Sequence, residues 1–245
     1  MSLTIAIPDN PNYAALTANA HSLCQERGYV CTVMTEKECG ESLYKGVADI
    51  ALIDPLSFAR TRAELRIIPS LALSVTDFSN MASVHFIPGK EDIKVLALQE
   101  DAYLLRMGAL CLSEKFDLFP DVIIDSSMNA CDAFIAWNSS KGQGSLDIGE
   151  EWTDIQQVQL PLLFWATKDE ESMDLLEITR LCAVDDLPSS EEVISSNDGT
   201  EADARIGTIH YDYSGAFQSS LDAVQHFLFY HRMIESVRAI TLLGQ

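Results

Sequence analysis

Residues able to do chemistry are spread thinly along these 245 residues, and none falls into a metal or nucleotide signature. His226 and His231 are five apart, so a helix does not bring them to one face as two zinc ligands four apart would be. The five histidines show no ligand spacing with Cys or Asp and read as core or surface residues. There is no GxGxxG, GxxxxGK(S/T) or GxSxG, and Gly142-Gln143-Gly144 alone is a flexible loop. What remains is short polar side chains beside apolar runs. Asn10 and Asn12 lie in Pro8-Asp9-Asn10-Pro11-Asn12, Asp54 follows Ile50-Ala51-Leu52-Ile53, and Asn138 follows Ala133-Phe134-Ile135-Ala136-Trp137. At strand ends such groups hydrogen-bond a small polar ligand; the other reading makes the asparagines turn formers and Asp54 a cap on the turn begun by Pro55. Arg106 is either a carboxylate clamp or an ion-paired surface residue. No metal or organic cofactor is expected from this inventory.

The elements that position these groups follow an α/β grammar, short apolar runs alternating with helix-period segments. Leu3 to Ile7 predicts a strand, Tyr13 to Glu26 a helix stopped at Gly28, and Tyr29 to Met34 a second strand. A short helix at Gly40 to Lys45 leads to the strand Ile50 to Ile53. Lys94 to Leu98 opens a second unit, followed by a helix from Tyr103 to Phe116. Asn138 to Ser145 reads as loop and Leu160 to Ala166 as an apolar strand. Asp169 to Cys182 reads as an acidic amphipathic helix, Asp185 to Ala204 as an exposed linker, and Ser219 to Leu243 as a helix broken near Ser236. One phrase recurs: Ala48-Asp49-Ile50-Ala51-Leu52-Ile53 is echoed by Cys131-Asp132-Ala133-Phe134-Ile135-Ala136, a small or apolar residue, an Asp, then a strand. Two similar α/β units would place a ligand in the cleft between them, where strand ends converge.

Charge limits the partners. The chain has 37 acids against 16 Lys+Arg, a net −21. Nucleic acid and anionic membrane both need a basic footprint, so neither is an expected partner. Twelve of the acids and a single base fall in residues 169–204, and this block is expected to solubilise an outer helix and loop. Cys24, Cys31, Cys39, Cys111, Cys131 and Cys182 contain no CxxC pair and read as reduced thiols. With no signal-like N-terminus and no long apolar run, a cytoplasmic location is expected. The aromatic group Phe227, Phe229 and Tyr230 reads as packing, since the surrounding charge is wrong for base stacking.

Larger motifs bring a family into view. Leu146-Asp147-Ile148-Gly149-Glu150-Glu151-Trp152 followed by Leu160-Pro161-Leu162-Leu163-Phe164-Trp165-Ala166 resembles the DLGxxW … LPxxFxxWA signature of a menaquinone-biosynthesis family. That family, of the futalosine route, contains chorismate dehydratase and dihydroxynaphthoate synthase. Ala48 to Arg60, with Asp54-Pro55-Leu56-Ser57, is similar to its D(V/L)A-x-(V/I)-S-x-x-E-Y segment. Ile68-Pro69 through Ala82-Ser83-Val84 is similar to its crossing segment, and Phe164-Trp165-Ala166 is closer to the dehydratase branch. The resemblance spans residues 45 to 166. It implies a two-lobed type II periplasmic-binding-protein-like fold with a cleft, one lobe from 1–90 plus 160–245 and an inserted lobe from 91–159. It also implies a small anionic substrate, chorismate, losing water to give an enolpyruvyl-oxybenzoate, with Ser83 in the catalytic position. Asn10, Asn12, Asp54, Ser57, Gln99 and Asn138 are then the substrate-binding candidates. Ser83 otherwise reads as a hinge-strand serine bonded to backbone.

The departures lie at pocket positions. Where the dehydratases have a Thr/Ser-rich loop, this chain has Gln99-Glu100-Asp101-Ala102, and two acids in place of hydroxyls repel an anion. Trp137-Asn138-Ser139 replaces the family's I-G-D. These changes motivate a second reading, a non-catalytic or retasked carboxylate binder on the same hinged scaffold. Oligomeric state is left open by the sequence.

Overall fold

The computed structural model describes residues 2–61, 63–90, 92–170, 174–195 and 204–244. The chain divides into two compact units. The first comprises the N-terminal residues up to Ser74, Pro161–Ser190 and the residues from His210 onward; the second comprises Val75–Leu160 and Glu191–Ile209. The described elements are, in chain order, β1 (Thr4–Pro8), α1 (Ala14–Thr17), α2 (Ala20–Arg27), β2 (Val30–Met34), α3 (Glu36–Lys45), β3 (Ile50–Ile53), α4 (Pro55–Arg60), β4 (Arg66–Asp77), β5 (Ala82–Phe86) and β6 (Val95–Leu98). They continue with α5 (Tyr103–Phe116), β7 (Asp121–Ile124), β8 (Ala133–Trp137), α6 (Asn138–Lys141), β9 (Leu146–Asp147), α7 (Ile148–Gln156), β10 (Leu160–Thr167), α8 (Asp174–Leu181), β11 (Ser190–Ile194), β12 (Ile206–Asp212) and α9 (Gly215–Tyr230).

Each sheet is built to one plan. The seven-stranded sheet runs β11-β12-β4-β10-β3-β1-β2 and the five-stranded sheet β7-β6-β8-β5-β9. In both, a first strand is flanked by parallel second and third strands, β1 by β2 and β3, β6 by β7 and β8. An antiparallel strand then follows, β10 beside β3 and β5 beside β8. A fourth strand lies on its far side, β4 and β9 respectively. This second-first-third-antiparallel-fourth order is that of the type II periplasmic-binding-protein fold, so the α/β two-lobed expectation is met.

The repeated phrase has a physical basis in this plan. Asp49, just before β3, donates its N–H to the Thr4 carbonyl, and its Oδ2 accepts the Thr4 N–H at 2.7 Å. Asp132, just before β8, donates to the Val95 carbonyl, and its Oδ2 accepts the Val95 and Lys94 N–H groups at 3.0 Å. In each unit the Asp therefore ties the start of the third strand to the start of the first.

Local signals explain the helices of the first unit. Thr35 and Glu38 form a reciprocal capping box on α3, and Gly28 and Gly46, both at φ 69°, end α2 and α3 in the left-handed conformation that glycine adopts without a Cβ penalty. Strand β10 is buried along its whole length. A strand held between β3 and β4 with both faces covered reads as a continuous apolar run. Its Phe164 meets Phe58 edge-on at 5.4 Å and Phe217 at 6.0 Å. Full burial of each such side chain contributes about 1.5–3 kcal/mol. In the second unit α5 packs on α7 and the sheet, where a Cβ on Gly108 would come within 2.8 Å of Ile148 and 3.0 Å of Ile135.

Several elements differ from expectation for identifiable reasons. The helix predicted over Tyr13 to Glu26 is a 3-10 turn at Pro11–Tyr13 followed by α1 and α2. It breaks at Asn19 because residues 182–185 dock there: Asn19 N–H donates to Cys182 O, Asn19 Nδ2 to Ala183 O at 2.7 Å, and Val184 N–H to Ala15 O. The helix α3 starts at Glu36 rather than Gly40, its Thr35 cap lying outside the predicted segment. Residues 138–141, expected to be loop, form the single turn α6. The expected linker at 185–204 contains the edge strand β11, and 196–203 lie outside the described residues. Exposed acids on an edge strand discourage further pairing and hide the strand from a hydrophobicity reading. The strand β7, directly after Pro120, is likewise absent from the expected elements; its apolar run Val122-Ile123-Ile124 is exposed on both faces. The last helix ends at Tyr230, not near Ser236: Gln225 bonds the Arg238 backbone, and Ile67 pairs with residues 241–243, which pulls the tail into an extended path. The unit boundary falls at Ser74–Val75 rather than at 90, because β5 belongs to the five-stranded sheet, and residues 191–209 group with the second unit rather than the first.

Candidate functional site

In parallel α/β sheets ligands bind beyond the carboxyl ends of the strands. In the first unit these ends carry four of the predicted residues. Asn10 caps the 3-10 turn after β1, its Oδ1 accepting the Asn12 N–H at 3.0 Å. Asn12 keeps its Nδ2 buried with no acceptor. Asp54 and Ser57 stand at the end of β3 and are bonded to each other: Asp54 Oδ1 accepts the Ser57 N–H at 2.8 Å and Oδ2 accepts the Ser57 hydroxyl at 2.5 Å. Asp54 is thus the N-cap of α4, with Pro55 in the first turn, as the capping reading holds. It is 2% exposed, and burial raises its pKa against the pull of the Ser57 bonds. On the same unit, Tyr13 donates its hydroxyl to the buried Glu36 at 2.8 Å. Most polar capacity of this strand-end cluster is therefore spent internally.

The second unit holds the other three. Gln99, at the end of β6, accepts the Trp137 N–H at 3.0 Å and the Ser140 hydroxyl at 2.9 Å through Oε1, tying β6 to the end of β8. Asn138 donates its backbone N–H to Met81 O and Nδ2 to Asn80 Oδ1 at 3.2 Å, and its Oδ1 is buried without a donor. Ser83, in β5, is fully buried, and its hydroxyl has no hydrogen-bond partner. The hinge-serine reading required a backbone partner, which is not found. The two acids of the altered loop are engaged: Glu100 accepts the Trp137 indole N–H, and Asp101 pairs with Arg106. Arg106 is accordingly ion-paired and not a free clamp. No side chain caps α5, whose N-cap, Ala102, directly follows these acids.

Two further residues belong with this group and were not singled out by sequence. Asn80, at φ 54°, holds the Asn138 amide; an Asn in a tight connection between two strands is the signal that marked it. His85 lies two residues beyond Ser83 on β5, stacked on Phe134 with ring centroids 4.5 Å apart, and its Nε2 is buried without a partner. Strand alternation alone would have placed it beside Ser83.

The motifs that carry the resemblance turn out to be architectural. Asp147 of the Asp-Ile-Gly-Glu-Glu-Trp motif is fully buried and caps α7 through the Gly149 and Glu150 N–H groups. It also accepts from the Ser79 N–H, the Ser79 hydroxyl and the Asn80 N–H at 2.9–3.1 Å. Glu150 pairs with Arg205, whose guanidinium lies over the Phe78 ring at 4.8 Å. Leu160–Thr167 is the buried strand β10. Among the described residues no group of three His, Cys, Asp or Glu side chains is placed to hold a metal, and no helix is long and apolar enough to cross a membrane.

No protein-family model matches the chain, and no curated protein does. Among solved structures the chain is similar to protein AF1704 from Archaeoglobus fulgidus, with a TM-score of 0.62 at 12% identity over 95% of this chain and 98% of that one. Weaker similarities include a nutrient binding protein from Burkholderia cenocepacia bound to methionine, with a TM-score of 0.45 and 9% identity over 73% of this chain and 90% of that one. Another is Tv2483 bound to L-arginine, with a TM-score of 0.39 and 13% identity over 74% and 83%. The similarity to AF1704 shows a shared fold.

Proposed function

We propose that this protein acts on a small ring carboxylic acid of the chorismate class, removing water in the manner of the chorismate dehydratases its motifs resemble. The observation that carries this reading is Ser83, a fully buried serine on β5 whose hydroxyl has no partner. Leaving such a group unmatched costs about 1–3 kcal/mol, and a cost of that kind points to a ligand that matches it. Ser83 also stands in the segment that resembles the family's crossing strand. In the reaction a base takes the ring proton, the C–H electron pair forms the new ring double bond, and the neighbouring C–O bond breaks. The leaving hydroxide takes up a proton to depart as water, and aromaticity supplies the driving force. A donor such as the Ser83 hydroxyl stabilises the oxygen as it leaves.

The test is incubation of the purified protein with chorismate, following the enolpyruvyl-oxybenzoate by absorbance and mass. Turnover that is lost in Ser83→Ala, with the melting temperature held or raised, supports the reading. A Ser83→Ala variant as active as the wild type removes Ser83 from the site. The second reading, a carboxylate binder without catalysis, is favoured by one observation: Asp54, Ser57 and Gln99 are already bonded within their own units, and Glu100 and Asp101 add negative charge. Thermal stabilisation by a carboxylate, with no turnover of chorismate, would select it.

A further inference from the structure

Strand β5 reads Ala82-Ser83-Val84-His85-Phe86, and alternation puts Ser83 and His85 on one face with the buried Val84 on the other. The register agrees, Ser83 lying opposite Ala136 and His85 opposite Phe134. On that face Ala97, Met128 and Ala136 form an apolar cluster with Cys131 and Phe134 packed against it. The Phe134 ring lies within 8° of parallel to the imidazole and fixes its plane. Gly144 closes over Ser83, where a Cβ would come within 2.7 Å of the serine Cβ. Within this apolar setting two polar atoms, Ser83 Oγ and His85 Nε2, are buried and have no hydrogen-bond partner. One such atom is a local cost, whereas two on adjacent same-face positions of one strand are a pattern that a single ligand would satisfy. Burial lowers the His85 pKa, and the Lys141 charge lowers it further, both favouring the neutral imidazole. A neutral imidazole hydrogen-bonds a hydroxyl without demanding a counter-charge.

We propose that His85 is a second ligand-contacting residue beside Ser83, its Nε2 meeting a hydroxyl or carboxyl group of a ring carboxylic acid. The ligand class rests on the reading under Proposed function. The apolar wall receives the ring, and the serine hydroxyl and imidazole nitrogen meet its polar substituents.

The experiment uses the full chain and two probes, chorismate and the stable ring acid 3-hydroxybenzoate. Calorimetry measures binding to the wild type and to His85→Phe, which keeps an aromatic ring on Phe134 and removes both nitrogens. Nitrogen NMR follows the His85 resonance during titration. The expected result is binding of chorismate to the wild type, a shifted Nε2 resonance, and a Kd raised about tenfold or more in the variant at an unchanged melting temperature. Should His85→Phe not fold, His85→Gln is measured by the same criterion. Wild-type binding with an equal Kd in the folded variant and an unmoved resonance overturns the role of His85 and leaves the proposed function standing. A wild type that binds neither probe overturns the proposed function and this assignment with it.

Discussion

Replacing Asp147 by alanine tests whether the most specific motif of this sequence is a clamp. Its carboxylate accepts four backbone N–H groups, from Ser79, Asn80, Gly149 and Glu150, together with the Ser79 hydroxyl. Alanine removes the acceptor for all of them inside a fully buried site. Each donor left unmatched costs about 1–3 kcal/mol, but water entering the new space meets some of them, so the total is about 3–5 kcal/mol. Asp147→Asn keeps the shape and Oδ1 yet turns an NH2 toward the Asn80 N–H, and costs about 2 kcal/mol. The assay is urea unfolding followed by tryptophan emission, since Trp152 lies on the helix that Asp147 caps. Hydrogen exchange at residues 79–81 and 149–150 would report the same loss locally. An alanine variant within 1 kcal/mol of wild type, with unchanged exchange at those amides, would refute the clamp.

Two further outcomes are expected. The Asp132 carboxyl is drawn down to about 2, first by the Lys90 ammonium and then by the Val95 and Lys94 N–H groups. Its stabilisation is complete above its ordinary pKa near 3.8 and is lost as pH falls through about 2, so an Asp132→Asn variant is less stable at pH 7 and converges with wild type near pH 2; parallel curves across that range would count against the tie. A Cβ on Gly144 would lie 2.4 Å from the Val84 carbonyl oxygen, whereas one on Gly142 meets nothing within 4 Å and is strained only by its φ of 78°. Gly144→Ala therefore costs about 2–3 kcal/mol and Gly142→Ala about 1, and equal costs by denaturation would contradict this packing.

The sheet plan was legible because its signals are local and repeated. Apolar runs gave β1, β3, β6, β8 and β10, and the Asp before β3 and β8 proved to be a shared tie between strands. Elements fixed by distant partners were not legible: the break at Asn19 depends on residues 182–185, and the end of α9 on Ile67 and Arg238. The edge strand β11 escaped because its exposed acids interrupt the hydrophobic pattern, and β7 because Val122-Ile123-Ile124 is too short an apolar run to mark a strand by itself. At the candidate site the residue types were right while their occupations were not visible. Nothing in the order Asp54-Pro55-Leu56-Ser57 distinguishes a carboxylate awaiting a ligand from one already bound to Ser57. His85 was readable by alignment of strand faces, but a lone histidine has no spacing partner to mark it.

The place of β10 between β3 and β4 has a consequence for synthesis. A ribosome releases β3 and β4 nearly a hundred residues before the strand that separates them, so the first sheet emerges with a gap in its middle. During that interval β5 through β9, which need nothing downstream of Leu160 for their pairing, are free to assemble. The five-stranded sheet can thus form before the seven-stranded one, whose β3 and β4 wait with apolar strand edges open until β10 emerges.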